Sequence, residues 1–534
     1  MDIQNIQFAD THKFSQIVLD YLAGVDALKP YYQYNPNQVD WQQVMQDKDA
    51  LPVNREILVE SIQKQYAALD IDGLVGQHIQ AFADANTYCI VTAHQLNIFT
   101  GPLYVIYKTL STIRLCRNLQ AQYPQKVFVP VFWLGSEDHD FEEIHHTRMF
   151  NKLIQWDDKQ GGACGRYQLS TFQPVLDQVA ALLGDASEAE KLRTLFVEAY
   201  QPEHSLAQAS RILLHGLFKE YGLVIVDGDD VALKMACKGI IQDELLRQSS
   251  AQVMEKTLSE FPYPPQALGR EINLFYIQDN SRERIVLDTA TKTYTVLNTA
   301  HTFTTEEILA ITEQYPERFS PNVILRPVFQ QQVLPALAYI GGGGELAYWL
   351  QLKDVFSHHH VPFPVVLLRD SVMWIDAATQ KKLARLDFSV TALFEPEHTL
   401  IEQYVRKHAD TTVDLSAQVA QVEAMFSPLV QQAAQIDAGL ESTVMAERQV
   451  VLNALSKLES KLLKAQKSKQ ETQVKQISSI LQKLFPEGGL QERSENFTSL
   501  YLRHGQSLFD TLLAASTQPV PQFLVVTEQE PAGS

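Results

Sequence analysis

Apolar positions along this chain follow two periods, and the switches between them outline its elements. A short, fully apolar run, Cys89 to Thr92, opens into polar His94 and Gln95. A second run, Val127 to Leu134, opens into Glu137, Asp138, His139, Asp140, Glu142 and Glu143. Unbroken apolar runs of this length predict strands covered on both faces. Between them, Thr100-Gly101-Pro102 predicts a helix start, with a hydroxyl cap, a tight turn and proline near the first helical position. That helix is expected to reach about Asn118. Upstream, Ile57–Tyr66 and Leu74–Ala83 have helical spacing. Ser170 to Arg247 is also mostly helical, interrupted by a strand from Leu223 to Val226 that ends in Asp227-Gly228-Asp229-Asp230. From Glu271 to Asn298 the period becomes two, and NLFYIQD, ERIVLD and TYTVLN predict a small antiparallel sheet. The α/β alternation then resumes with NVILRPV, a helix, LAYIGGGG, the helix ELAYWLQLKDVF and FPVVLLRD. The expected fold is α/β: a Rossmann-like core whose sheet is built from two halves, with helical and small β regions inserted at about 165–300.

Past about Thr411 the pattern changes again. Val419, Val422, Phe426, Leu429, Ala433, Ile436 and Leu440 step by three and four, the seam of a coiled coil. A second helical run, Val444 to Phe485, is stopped by Pro486-Glu487-Gly488-Gly489, and Gly439 lies where the chain could reverse. An antiparallel helical pair projecting from the core is the simplest construction. The expected units are a core over 1–405, a coiled-coil domain over 406–486, and a segment 487–534 returning to the core, with apolar FLVVT as an edge strand. The first helix presents a stripe that it cannot bury alone, and the second carries apolar residues on more than one face. A homodimer is therefore expected.

Composition narrows the function. A net charge of −19 argues against a general nucleic-acid grip. No apolar run approaches the roughly 20 residues of a membrane span. The start MDIQNIQFADTHKF has no basic stretch followed by an apolar one, which favours the cytoplasm. Four scattered cysteines, Cys89, Cys116, Cys164 and Cys237, fit neither a disulfide framework nor a thiolate-rich zinc site. They are expected to be buried, inert thiols.

The candidate chemistry lies where strands end. In an open parallel sheet, ligands bind at the carboxyl ends of the strands. His94 and Gln95 follow the first strand, and Thr100, Gly101, Tyr104 and Lys108 form a turn and helix start suited to an anion. Glu137, Asp138, His139 and Asp140 are the candidate acid–base groups, with the charged form of His139 favoured by its aspartate neighbours. Gly341, Gly342, Gly343 and Gly344 permit positive φ and close approach of a ligand, and Glu345 could accept from an amine or hydroxyl. The EDHD spacing matches no metal motif. His358-His359-His360 are expected at a helix end before a proline-containing strand entry, and adjacent histidines in an extended segment point different ways, so no bound metal is expected. All the strand-end groups are expected to share one pocket. An enzyme is favoured over a nucleotide-binding coiled-coil scaffold without turnover or a metal-dependent hydrolase.

Four blocks, HQLNIFTGPLYVIYK, FWLGSEDHDFEEI, LRPVFQQQVLPALAYIGGGGELAYWLQLK and FPEGGLQER, resemble the signature segments of the BshC family, the cysteine ligases of bacillithiol biosynthesis. They occur in order between His94 and Arg493, so the resemblance covers nearly the whole chain. Ala93 stands before His94-Gln95 where the family is expected to have glycine. The resemblance implies ligation of cysteine to the amine of glucosaminyl-malate, with ATP as a possible activating cosubstrate. It also implies distant kinship to class I nucleotidyl-transferring enzymes, although H-x-G-H and a lysine-rich second signature are missing.

Overall fold

The computed structural model describes residues 1–278, 280–408, 414–515 and 521–529. At its centre is a five-stranded, wholly parallel sheet: β1 (Thr87–His94), β2 (Val127–Leu134), β3 (Val224–Asp227), β4 (Ala336–Gly341) and β5 (Val365–Leu368). Their spatial order is β3-β2-β1-β4-β5. The chain runs outward from β1 in one direction, then returns to β1's other side to lay down β4 and β5. The order therefore reverses between β1 and β4, where an open α/β sheet leaves a crevice. The strands are apolar throughout because helices cover both faces, and every residue from Thr87 to Ala93 is buried.

Helix α1 (Tyr104–Gln122) crosses from β1 to β2. It runs past the expected Asn118 and starts later than Thr100. Its buried hydroxyls at Thr109, Ser111 and Thr112 bond to carbonyls four residues back. Ser111 and Arg114 also reach Asp370 just after β5, which fixes α1 against the far half of the sheet.

The helical region beyond β2 includes α2 (Lys238–Arg247), and β3 lies within it as the sheet's edge. The antiparallel sheet forms as expected from Leu274–Gln278, Ser281–Asp288 and Thr293–Val296, extended by Thr302–Phe303 and Phe319–Pro321. NVILRPV is not a strand: Pro327 sits at the start of helix Arg326–Val333, with Ile324 and Leu325 buried in the turn before it. The helix expected after the glycines is two, α3 (Gly343–Trp349) and α4 (Lys353–His358).

Phe523–Thr527 does return to the core, but as a central strand. It pairs in parallel with Ser371–Ile375 and antiparallel with Asp2–Ile6. All five of its residues are buried. The antiparallel pair consists of α5 (Ser416–Ile436) and α6 (Ala438–Lys469). The reversal is at Asp437, whose carboxylate caps α6 through the Gly439 N–H. The second helical run breaks at Gln470 into α6 and Glu471–Leu484, and the latter packs back on the core through Ile477, Ile480, Leu481 and Leu484. Thr411, where the composition changes, lies outside the described residues, as do residues 516–520 and 530–534 of the 487–534 segment.

Candidate active site

The crevice between β1 and β4 is bridged by a fully buried lysine. Lys108, on the second turn of α1, donates to the carbonyl of Ala93 at 2.5 Å and to Glu345 Oε2 at 2.6 Å. Glu345 also accepts from the Gly342 N–H (2.8 Å) and the Tyr339 hydroxyl (2.5 Å). Burial alone would raise its carboxyl, but Lys108 and the Gly342 N–H outweigh that and hold it at about 2. Both residues are therefore consumed by the scaffold. Lys108 does not reach out to an anion, and Glu345 closes its own helix start in place of a substrate amine.

The four glycines use no positive φ among the described residues. Their value is space. A side chain at Gly341 would press on Glu345 and Tyr339, and one at Gly343 on Val18. A Cβ at Gly342 would meet only Glu345 Oε2 at 3.5 Å and Arg369 Nε at 3.7 Å, and one at Gly344 nothing within 4 Å.

Arg369, directly after β5, is buried and bidentate to Glu492 at 2.7 and 2.9 Å. Its guanidinium lies 5.2 Å from the centre of the Tyr104 ring. Its Nε–H is buried and has no hydrogen-bond partner. An unmet buried donor costs about 1–3 kcal/mol, and this one faces the Gly342 turn.

His94 ends β1. Its Nδ1 lies 3.0 Å from the Gln95 carbonyl, which can only accept, so the ring proton sits there and Nε2 accepts from the Tyr104 hydroxyl at 2.9 Å. Burial, then repulsion by Lys108, pushes His94 down to about 4, so it is neutral at physiological pH.

Phe99, Thr100 and Gly101 all have positive φ, at 52°, 69° and 69°. For β-branched Thr100 this is strained backbone of the kind held at functional sites. Thr100 is not the cap of α1; Leu103 occupies that position without a side-chain cap, and its N–H goes to the Glu495 carbonyl at 2.7 Å. The strained turn is clamped by Asn496, whose amide donates to the carbonyls of Phe99 (2.8 Å) and Gly101 (2.7 Å).

The loop after β2 splits its acids. Gln95 donates to Asp138 Oδ2 at 2.7 Å and to Glu143 Oε2 at 2.6 Å, joining the ends of β1 and β2. Asp138 Oδ1 accepts from the His139 and Asp140 N–H groups. Burial raises its carboxyl, but Gln95, Arg282 and these N–H groups bring it below its ordinary value. Glu137 turns the other way, inward to buried Lys234 at 2.6 Å, and Lys234 also holds Asp229 at 2.8 Å. Glu137 is thus an ion-pair partner, not a free acid. The diverging Glu137 and Asp138 do not form a metal cage.

His139 is half-exposed, and its Nδ1 accepts from Arg282 Nη1 at 2.7 Å. Burial and then Arg282 lower its pKa, overriding Asp138 and Asp140. The expected charged histidine is instead neutral, with its proton on Nε2. Asp140 contributes its backbone N–H to the Asp138 turn.

The strand-end groups share one edge, as parallel strands require. His94, Gln95, Asp138, His139 and the glycine turn lie at the carboxyl ends of β1, β2 and β4. Sequence reasoning missed Arg282, Arg369, Lys234 and Asn496. The alternation does not mark Arg282: on Ser281–Asp288 it shares a face with Arg284 and Val286, opposite to the buried Ile285. There it is held by Ser320 Oγ at 3.0 Å and the Pro321 carbonyl at 3.2 Å, over the ring of Phe275.

The four cysteines are free and buried, and burial pushes the thiols of Cys89 and Cys164 up to about 12. No helix of the described residues is long and apolar enough to cross a membrane.

Comparison with known proteins then decides the family. Residues 1–370 match the model of the bacillithiol biosynthesis BshC N-terminal Rossmann-like domain, and 372–528 match the BshC C-terminal coiled-coil domain. The chain belongs to the BshC family. Relatives named "Putative cysteine ligase BshC" include one from Flavobacterium psychrophilum, 39% identical with 95% of this chain and 96% of the relative covered. Another, from Flavobacterium johnsoniae, is 38% identical with 98% and 99% covered. A third, from Cytophaga hutchinsonii, is 36% identical with 94% and 95% covered. The BshC models meet at 370/372, where the chain leaves the parallel sheet and enters the three-stranded one. As a member of this cysteine-ligase family of bacillithiol biosynthesis, the protein is an enzyme.

Proposed function

We propose that this BshC protein joins the carboxyl of L-cysteine to the glucosamine amine of glucosaminyl-malate, forming bacillithiol, with ATP activating the cysteine as an adenylate. Amide formation from a free carboxylate and an amine is uphill in water, so the carboxylate must first gain a leaving group. Its oxygen attacks the α-phosphorus of ATP and pyrophosphate departs. The sugar amine then attacks the acyl carbon, and AMP leaves with the electron pair of the broken C–O bond.

The observation that carries the reading is the unmet Arg369 Nε–H beside Gly342 in the crevice where the strand order reverses. A buried cationic donor facing open backbone fits an anionic group, either a carboxylate or a phosphate. His139, with its proton on Nε2, is suited to donate to the oxygen of the tetrahedral intermediate. Asp138 beside it is suited to orient the attacking amine.

The test is incubation of the purified protein with cysteine, glucosaminyl-malate and ATP, followed by mass spectrometry. The amide should appear with one AMP per product. Product formed equally well without ATP would replace the adenylate with another activated donor.

A further inference from the structure

A second cluster of chemistry-bearing side chains lies outside the crevice. The histidines sit at the end of helix α4, as the sequence pattern suggested, but the first two are not in extended backbone. His358 is its last residue and His359 its C-terminal cap, still near helical backbone, and the chain turns only at His360 with φ 56°. Consecutive residues on a helix end can converge where those on a strand cannot. The His358 and His359 rings stand 4.9 Å apart at 81°. Asp243 of α2 comes up to meet them.

We propose that Asp243, His358 and His359 form a binding site for a zinc-class divalent cation that ties α2 to α4. One ligand atom from each lies within 4.8 Å of the others, and among the described residues this is the only such trio of His, Cys, Asp or Glu. Tetrahedral zinc, with bonds of about 2.0–2.2 Å, needs donors roughly 3.3–3.6 Å apart. The existing spacing is within small side-chain rotations of that. Asp243 Oδ2 lies 3.0 Å from His358 Nε2, while Arg247 pairs with the other oxygen, Oδ1, at 3.1 Å. The Arg247 contact therefore leaves Oδ2 for the ion.

A simple Asp–His hydrogen bond would explain His358 but not His359. The His359 Nε2 is buried and has no hydrogen-bond partner, an arrangement that costs free energy unless something accepts its lone pair. Two imidazoles and a carboxylate suit zinc and its first-row neighbours; magnesium, which prefers an all-oxygen shell, fits poorly. The side chain of His358 is 34% exposed, so water can complete the shell from solvent. The ion would act as a clamp: α4 leads into β5 and Arg369, and α2 belongs to the inserted helical region.

The test uses the full chain, stripped with a chelator and titrated calorimetrically with zinc alone. One equivalent should bind, and magnesium should not compete. His359→Gln and Asp243→Asn should each weaken zinc by about 100-fold or more, while His360→Gln, adjacent but outside the trio, should leave binding unchanged. Cobalt added to the unsubstituted protein should produce the intense visible absorption of a tetrahedral site, a readout independent of how any variant folds. Absence of a stoichiometric site, absence of the cobalt band, or undiminished binding in His359→Gln would each overturn the proposal.

Discussion

At the scale of single residues, environment decides which acid does what. Glu137 and Asp138 are neighbours in sequence, yet one is held in a buried ion pair with Lys234 and the other stays at the edge with Gln95. Only the second can meet a substrate. His139→Asn and Asp138→Asn are therefore expected to fold normally and to lose product formation by about 10²-fold or more. Unchanged circular dichroism with lost turnover would be the confirming pair of measurements. Arg282 sets the pH response. Its charge lowers the His139 pKa, so removing that charge should let the pKa rise toward its ordinary value. If turnover needs the neutral ring, the acidic limb of kcat/KM moves to higher pH in Arg282→Gln. A limb that stays put, or moves down, would separate His139 from the rate.

At the scale of elements, the helix starts are held by interactions from distant parts of the chain. Lys108 and Glu345 join α1 to α3 across the crevice. Lys108→Met should cost about 1–3 kcal/mol by leaving the partly buried Glu345 carboxylate without its cation. Adding Glu345→Gln should recover most of that, and urea denaturation of the two single variants and the double variant measures the coupling. The same dependence explains what could be read from the pattern. β2 was legible residue for residue, because an unbroken apolar run between polar stops has one interpretation. The start of α1 was not: Thr100-Gly101-Pro102 has the composition of a cap, but the turn bends through positive φ because Asn496, almost 400 residues away, holds its carbonyls. The strand ends that carry polar chemistry were legible for the same local reason as β2. The partners that neutralise or orient that chemistry, Lys234, Arg282 and Arg369, come from other elements.

At the scale of the whole molecule, the helical pair keeps apolar surface that one chain does not cover. Ala433 is buried between α5 and α6, but Leu429 is 43% exposed and Ile436 78%, with Val450, Leu458 and Leu462 of α6 also exposed. Such a face is suited to a second copy. Leu429→Asp should shift sedimentation at micromolar concentration from dimer toward monomer with the core intact. Ala433→Asp should first disrupt the pair itself. A monomer of 60.4 kDa in the unsubstituted protein would show that the face serves something else. Catalysis is expected in the crevice where β1 and β4 part. Gly342 has φ −79° and ψ 174°, open to any residue, and a methyl there meets protein atoms only at ordinary contact distances of 3.5 and 3.7 Å. Gly342→Ala is therefore compatible with the fold, yet it places a methyl beside the Arg369 Nε–H. The most direct measurement is kcat/KM for cysteine ligation in Gly342→Ala alongside its melting temperature. An unchanged melting temperature is expected with at least a roughly tenfold loss of kcat/KM, the scale of one misplaced contact in a positioned site. Wild-type kcat/KM in a folded Gly342→Ala protein would contradict this expectation and move the site away from the crevice.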